Sequence, residues 1–237
     1  MSATTAATTS PASQASARAY WERLWRQSGI NFVSLFVIGY FIHGNQPHIG
    51  ASADALTAFY DGHHTRILIA AVFCGLAVLN LMWFAAALRT VLADAGQDGW
   101  GAAATASSSA VGALFLMIIA TGTALGYSIA HSGNIALVSG LNDLVWALIV
   151  LSSFPRAMLI MAGSFGLWRA GLIPNSLFAA GVTAVVLGVA GGTTWVAGGF
   201  WAPDGIYSQF VWPIVGLVWL VVFNGVLTKS PATRAAW

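Results

Sequence analysis

Residues 66–88 read RILIAAVFCGLAVLNLMWFAAAL, with no ionisable side chain between Arg66 and Arg89 except Cys74. A helix needs about 20 mostly apolar residues to cross the hydrocarbon core of a bilayer. This stretch meets that requirement and is flanked by one arginine on each side. Working outward, four more stretches qualify: 107–130, 141–166, 173–199 and 207–228. A sixth, 25–43, has a shorter strictly apolar part, from Ile30 to Ile42. The expected fold class is therefore all-α: a six-helix membrane bundle over residues 18–228, with short tails at 1–17 and 229–237.

Composition excludes the main alternatives. Of 237 residues, 58% are hydrophobic and 7% charged, against about 25% charged in soluble domains. So little charge cannot solvate a soluble surface of this size. A soluble enzyme, a nucleic-acid binder and a disordered chain are all excluded. The single cysteine can form no internal disulfide, and no paired-cysteine zinc motif or glycine-rich phosphate loop is present. The 11 tryptophans suit an interfacial belt, and the 26 glycines suit close helix contacts.

The tail 1–17 is uncharged, rich in Ser, Thr and Ala, and lacks apolar periodicity, so disorder is expected. Arg18, Arg23 and Arg26 then interleave with Trp21 and Trp25, as at a membrane interface. The first apolar stretch ends in His43-Gly-Asn-Gln-Pro47 without a small-x-small cleavage pattern. It reads as an uncleaved helix rather than a signal peptide.

Lysine and arginine set the expected orientation. With the N-terminus inside, the inner segments hold Arg18, Arg23, Arg26, Arg89, Arg169, Lys229 and Arg234, and the outer segments hold Arg66 alone. Seven against one is a positive-inside pattern. It places both termini in the cytoplasm and the protein in the plasma membrane.

In the long outer loop 44–65, Ser52 is placed to cap a short helix running to Tyr60, with Leu56, Phe59 and Tyr60 on one face. The inner loop 89–106, with Gly96, Gly99 and Gly101, reads as flexible. Two small-residue pairs, Gly122/Gly126 and Gly188/Gly192, are suited to close helix packing within a monomer.

All five histidines fall on the outer side. His43, His63, His64 and His131 with Asp143 form a candidate ligand set for zinc, copper or non-haem iron, and His48 lies nearby. The rival reading is ordinary interfacial polarity, since no two histidines share a metal-binding spacing on one helical face. Haem is disfavoured because no histidine lies deep in the bilayer. Asp143 and Asp204 are candidate acid groups. Trp146, Trp195, Trp201 and Tyr207 are candidate walls of a ligand cavity. Arg156, just after Pro155, lies deep in the fourth helix, where charge is costly. Asn80 and Asn224 lie at comparable depth, so a polar cluster of Asn80, Arg156 and Asn224 is expected. The rival reading is an arginine that snorkels to the interface.

Four stretches carry a resemblance. They are Pro47 to Tyr60 continuing through His63-His64-Thr-Arg66, then Phe154-Pro155, then Arg169-Ala-Gly-Leu-Ile-Pro174, then Ala202-Pro-Asp-Gly205. Together they resemble a group of actinobacterial six-helix membrane proteins of unknown function. The resemblance covers most of residues 30–228 and implies an architecture but no reaction. His43, His48, His64 and His131 stand outside its pattern.

Two functions follow from different classes. The first is a binding or accessory subunit whose outward-opening His/Asp-lined mouth takes a small hydrophobic ligand or packs against a larger membrane complex. The second is a membrane-embedded enzyme, metal-dependent or acid–base, acting on a lipid-soluble substrate at the outer His/Asp cluster. A secondary transporter is disfavoured by small size and lack of an internal repeat.

Overall fold

A computed structural model describes residues 25–229; the expectations for residues 1–17 and for the tail beyond Lys229 fall outside them. The described chain is mainly helical, with no strand among its residues. In chain order the helices are α1 (Ser28–His43), α2 (Ala53–Tyr60), α3 (His64–Asp94), α4 (Asp98–Ala124), α5 (Ile135–Leu151), α6 (Ser153–Arg169), α7 (Asn175–Gly191) and α8 (Trp212–Lys229). A π-helical turn, Leu125–Ile129, and a 3-10 turn, Ala130–Ser132, extend α4; another π-helical turn, Tyr207–Val211, leads into α8.

Four helical segments are long and apolar enough to cross a membrane: His64–Asp94, Asp98–Ser132, Ile135–Arg169 and Tyr207–Lys229. Large apolar side chains such as Val72, Val186 and Ile214 face outward, as suits a surface solvated by lipid tails rather than water. The chain is a membrane protein by this criterion. α1 and α7 are apolar but only 16 and 17 residues long.

Several expected boundaries are corrected. The fifth apolar stretch, 173–199, is helical only to Gly191, because Gly191-Gly192-Thr193-Thr194 opens an irregular segment with Gly198 and Gly199 at positive φ. The loop expected at 89–106 is mostly helix. Its turn is confined to residues 95–97, with Gly96 at φ 70°, and the alanines at 102–104 and 106 carry α4 onward, as alanine favours helix. Gly101 lies against Arg89, where a Cβ would come within 3.3 Å of that side chain, so its smallness serves packing. In the fourth stretch the break falls at Ser152. Pro155 then sits in the first turn of α6, where its missing N–H costs nothing.

The expected short helix is α2. Ser52 Oγ accepts the Ala55 amide at 3.3 Å, and Leu56, Phe59 and Tyr60 are buried.

Around the bundle, α1 packs on α3, α3 on α4, α4 on α6, α6 on α7, and α8 meets α7 and α1. The core is aromatic: Phe84 and Phe223 flank Trp219, whose Nε1 donates to Ser164 Oγ at 3.0 Å. Gly188 lies against the Trp212 ring and Gly192 against the Phe154 ring, while Gly126 meets Ile67. These small residues make room for neighbours within the monomer. Gly122 is different, since a Cβ there would meet no atom within 4 Å.

A cavity between the helices and its polar cap

Helices α1, α3, α4, α5, α6 and α8 line a partly open cavity of about 260 Å³. Its walls are mainly apolar, with Phe36, Phe115, Ile118 and Trp146 among them. Gly122 and Cys74 also line it. Arg156 and Trp146 both reach it from the Ile135–Arg169 segment. Ten residues separate them, about 15 Å along a helix axis. The cavity is therefore elongated, with Gln46 and Trp146 near one end and Arg156 far below them.

The break at Ser152 explains how Arg156 tolerates its position. It interrupts the helical bonding ladder and leaves the Ile149 carbonyl available. That oxygen accepts Ser152 Oγ at 2.7 Å and Arg156 Nη2 at 3.1 Å. Arg156 Nε donates to the Ser152 carbonyl (3.2 Å), and Nη2 donates also to Ser153 Oγ (3.1 Å). The guanidinium thus sits at the C-terminal end of α5, where the helix dipole favours a cation. The Phe115 and Trp212 ring centroids lie 5.8 and 5.4 Å from its Cζ, which adds cation–π attraction.

At the other end, the loop after α1 folds over the bundle and is tied down by Asn142. This side chain is buried and uses every one of its bonding sites. Its Oδ1 accepts Tyr60 Oη at 2.8 Å and Gln46 Nε2 at 3.3 Å. Its Nδ2 donates to the carbonyls of Pro47 (3.4 Å) and His48 (3.3 Å). Trp146, one turn further along α5, donates Nε1 to the same Pro47 oxygen at 2.9 Å. Asp204 Oδ2 accepts the Ile49 amide at 3.1 Å, and its main-chain oxygen accepts Gln209 Nε2. Burial, with the nearby Asp143 carboxylate, pushes the Tyr60 hydroxyl well above its usual pKa, so Tyr60 stays a neutral donor.

The candidate metal ligands do not gather. Among the described residues no group of three or more His, Cys, Asp or Glu side chains is placed to hold a metal ion. His43 bonds the Gly44 carbonyl through Nδ1 (3.1 Å) and lies edge-on to Phe59. His63 Nδ1 lies 3.2 Å from the Ala58 and Phe59 carbonyls. His64 meets Thr65 Oγ1, and exposed His48 meets the Ile49 carbonyl. His131 pairs with Asp61, which was outside the expected set, at 2.7 Å. Asp143 forms no ion pair with Arg66 or a histidine, and its buried Oδ1 has no hydrogen-bond partner. Four of the histidines bond local backbone or an adjacent side chain and His131 pairs with Asp61, so the five are held at separate points. Of the five candidates, His43 alone lines the cavity.

The expected cluster of Asn80, Arg156 and Asn224 is also not formed. Asn80 Nδ2 donates to the Leu76 carbonyl of its own helix. Asn224 is fully buried, and its Oδ1 accepts the Gly29 amide at 3.0 Å. Arg156 turns to the helix break instead. Arg156 Cζ lies 5.4 Å from the Trp212 ring, and Trp212 precedes Asn224 by twelve residues on α8, about 18 Å along the axis, so the residues are separated in depth as well as in direction.

Of the aromatic candidates, Trp146 lines the cavity. Trp201 and Tyr207 pack on each other, with centroids 4.5 Å apart, and Tyr207 Oη donates to the Leu187 carbonyl. Trp195 is exposed and bonds the Gly192 carbonyl. These three belong to the segment after α7 and do not line the cavity, although Ser208 and Gln209, next to Tyr207, do.

Sequence reasoning missed Asn142, Tyr60 and Gln46 as the cap and Phe36 and Phe115 as walls. One signal was available: Asn142 and Trp146 stand four apart on one helical face. No family model matches the chain, and neither a curated protein nor a solved structure is significantly similar to it.

Proposed function

We propose that this protein binds a small hydrophobic ligand in the cavity between its helices. The observation that supports this is the cavity itself: about 260 Å³, largely apolar in its walls. An apolar cavity of about 150 Å³ already takes benzene, so this one has room for a larger molecule. The polar contacts around Asn142 fix the loop and α2 across one end, which suits a capped binding chamber.

In this reading all six apolar helices cross the plasma membrane, with α1 and α7 matched by local thinning of the bilayer. Both termini lie on the cytoplasmic side, in keeping with seven lysines and arginines in the inner segments against Arg66 in the outer ones. The cap then faces outward, and the ligand enters from the outer leaflet or the outer aqueous phase.

Gly122 provides the test, because it lines the cavity and has open space where a side chain would project. The protein and a Gly122→Leu variant are purified in the same detergent, extracted with organic solvent and compared by mass spectrometry. A small apolar or amphipathic molecule is expected at near-stoichiometric amount with the wild type and lost from the variant. The same extract from both proteins, with no enriched molecule, overturns the proposal.

A further inference from the structure

Arg156 carries donors that the protein does not use. Nε and Nη2 make the three hydrogen bonds described above. Nη1 makes none to any described residue. Nor is it among the buried atoms without a partner, so it is reachable, and the residue lines the cavity. Among the described residues no carboxylate lies within ion-pair distance of the guanidinium. Phe115 and Trp212 hold it from the sides, so it cannot swing freely to an interface. The result is a positioned cation, far from the cap, with two N–H groups presented to an apolar chamber. A cation held in such surroundings favours an anionic partner, because the pair avoids an isolated charge in a low-dielectric space.

We infer that the ligand is a small anionic amphiphile whose carboxylate bonds Arg156 Nη1 while its apolar tail lies along Phe115, Ile118 and Trp146 toward the cap. The inference rests on the binding function proposed above and specifies its ligand class. A carboxylate fits the donors better than a phosphate. One nitrogen with two free N–H groups satisfies a single charge, and no second cation lines the chamber. The roughly 15 Å between Arg156 and Trp146 along the helix axis suits an unbranched tail of eight to ten carbons.

The test compares two probes of equal length, decanoate and decanol, by thermal unfolding of the full chain in a fixed excess of detergent. Both partition into micelles, and only one is charged at pH 8. Decanoate is expected to raise the melting temperature saturably, with decanol at least tenfold weaker. An Arg156→Gln variant is expected to lose this preference. Should that variant not fold, Arg156→Lys, which keeps the charge but lacks the guanidinium fork, is expected to retain decanoate binding with reduced affinity. Equal stabilisation by both probes overturns the carboxylate inference and leaves the cavity proposal standing. No saturable effect of either probe overturns both.

Discussion

Tyr60 Oη donates to Asn142 Oδ1 at 2.8 Å, joining the last residue of the short loop helix to the interior of α5. This bond closes a network in which a single amide holds α2, Gln46 and the Pro47–His48 backbone to the bundle. Asn142 is thus the hub of the cap, with Trp146 and Asp204 adding one bond each.

Asn142→Ala should therefore loosen the cap. It leaves the Tyr60 hydroxyl, the Gln46 amide and the His48 carbonyl to find other partners, while the Pro47 carbonyl keeps Trp146 Nε1, and unmade buried hydrogen bonds cost about 1–3 kcal/mol each. A loss of roughly 2–4 kcal/mol is expected, allowing for partial rescue by water. Tyr60→Phe removes one donor and should cost about 1 kcal/mol. Denaturant unfolding in detergent measures both. Hydrogen exchange should show faster exchange across residues 45–60 in Asn142→Ala, with the core of α8 unchanged.

The raised Tyr60 pKa has a signed consequence. Burial and the neighbouring Asp143 charge keep the phenol protonated when folded. The unfolded chain ionises it near its ordinary value of 10.0. Above that pH, unfolding releases a proton, so stability falls as pH rises, by about 1.4 kcal/mol per unit for this group. Below pH 10 the group contributes no slope. Melting curves from pH 8 to 11.5 should show a steeper alkaline loss in the wild type than in Tyr60→Phe.

His131 Nε2 lies 2.7 Å from Asp61 Oδ1, yet this pair should matter little. Both side chains are about half exposed, 56% and 44%. Exposed pairs contribute about 0–1 kcal/mol. Asp61→Asn should shift stability by less than about 1 kcal/mol, measurable beside Asn142→Ala in the same unfolding experiment.

The sequence made some of this legible and hid the rest for geometric reasons. Ser52 with apolar residues at 56, 59 and 60 specifies α2 because capping and helical period are local properties. The long apolar helices are legible for the same reason. Direction around a helix is less so in a segment that is apolar on every side. Asn142 and Asp143 are adjacent and point about 100° apart; the charge drew attention to Asp143, while Asn142 faces the loop. Asn80, Arg156 and Asn224 all fall within apolar stretches, but hydropathy fixes neither the exact depth of a side chain nor its azimuth, and Arg156 meets Trp212 about 18 Å along α8 from Asn224. Arg156 found its partners where the break at Ser152 frees the Ile149 carbonyl, a consequence of backbone geometry. Gly99 and Gly101 suggested a loop where the alanines that follow carry the helix.

Cys74 offers the most direct test of the central claim, that the cavity takes a ligand. It is the one cysteine in the chain and it lines the cavity. The rate at which N-ethylmaleimide modifies it is measured in the purified protein, with rising decanoate and then rising decanol, and again in Gly122→Leu. A cavity that binds small amphiphiles predicts saturable protection by at least one of the two probes, and slow modification that neither probe alters in the filled variant. A rate indifferent to both probes and to the filling mutation would contradict it.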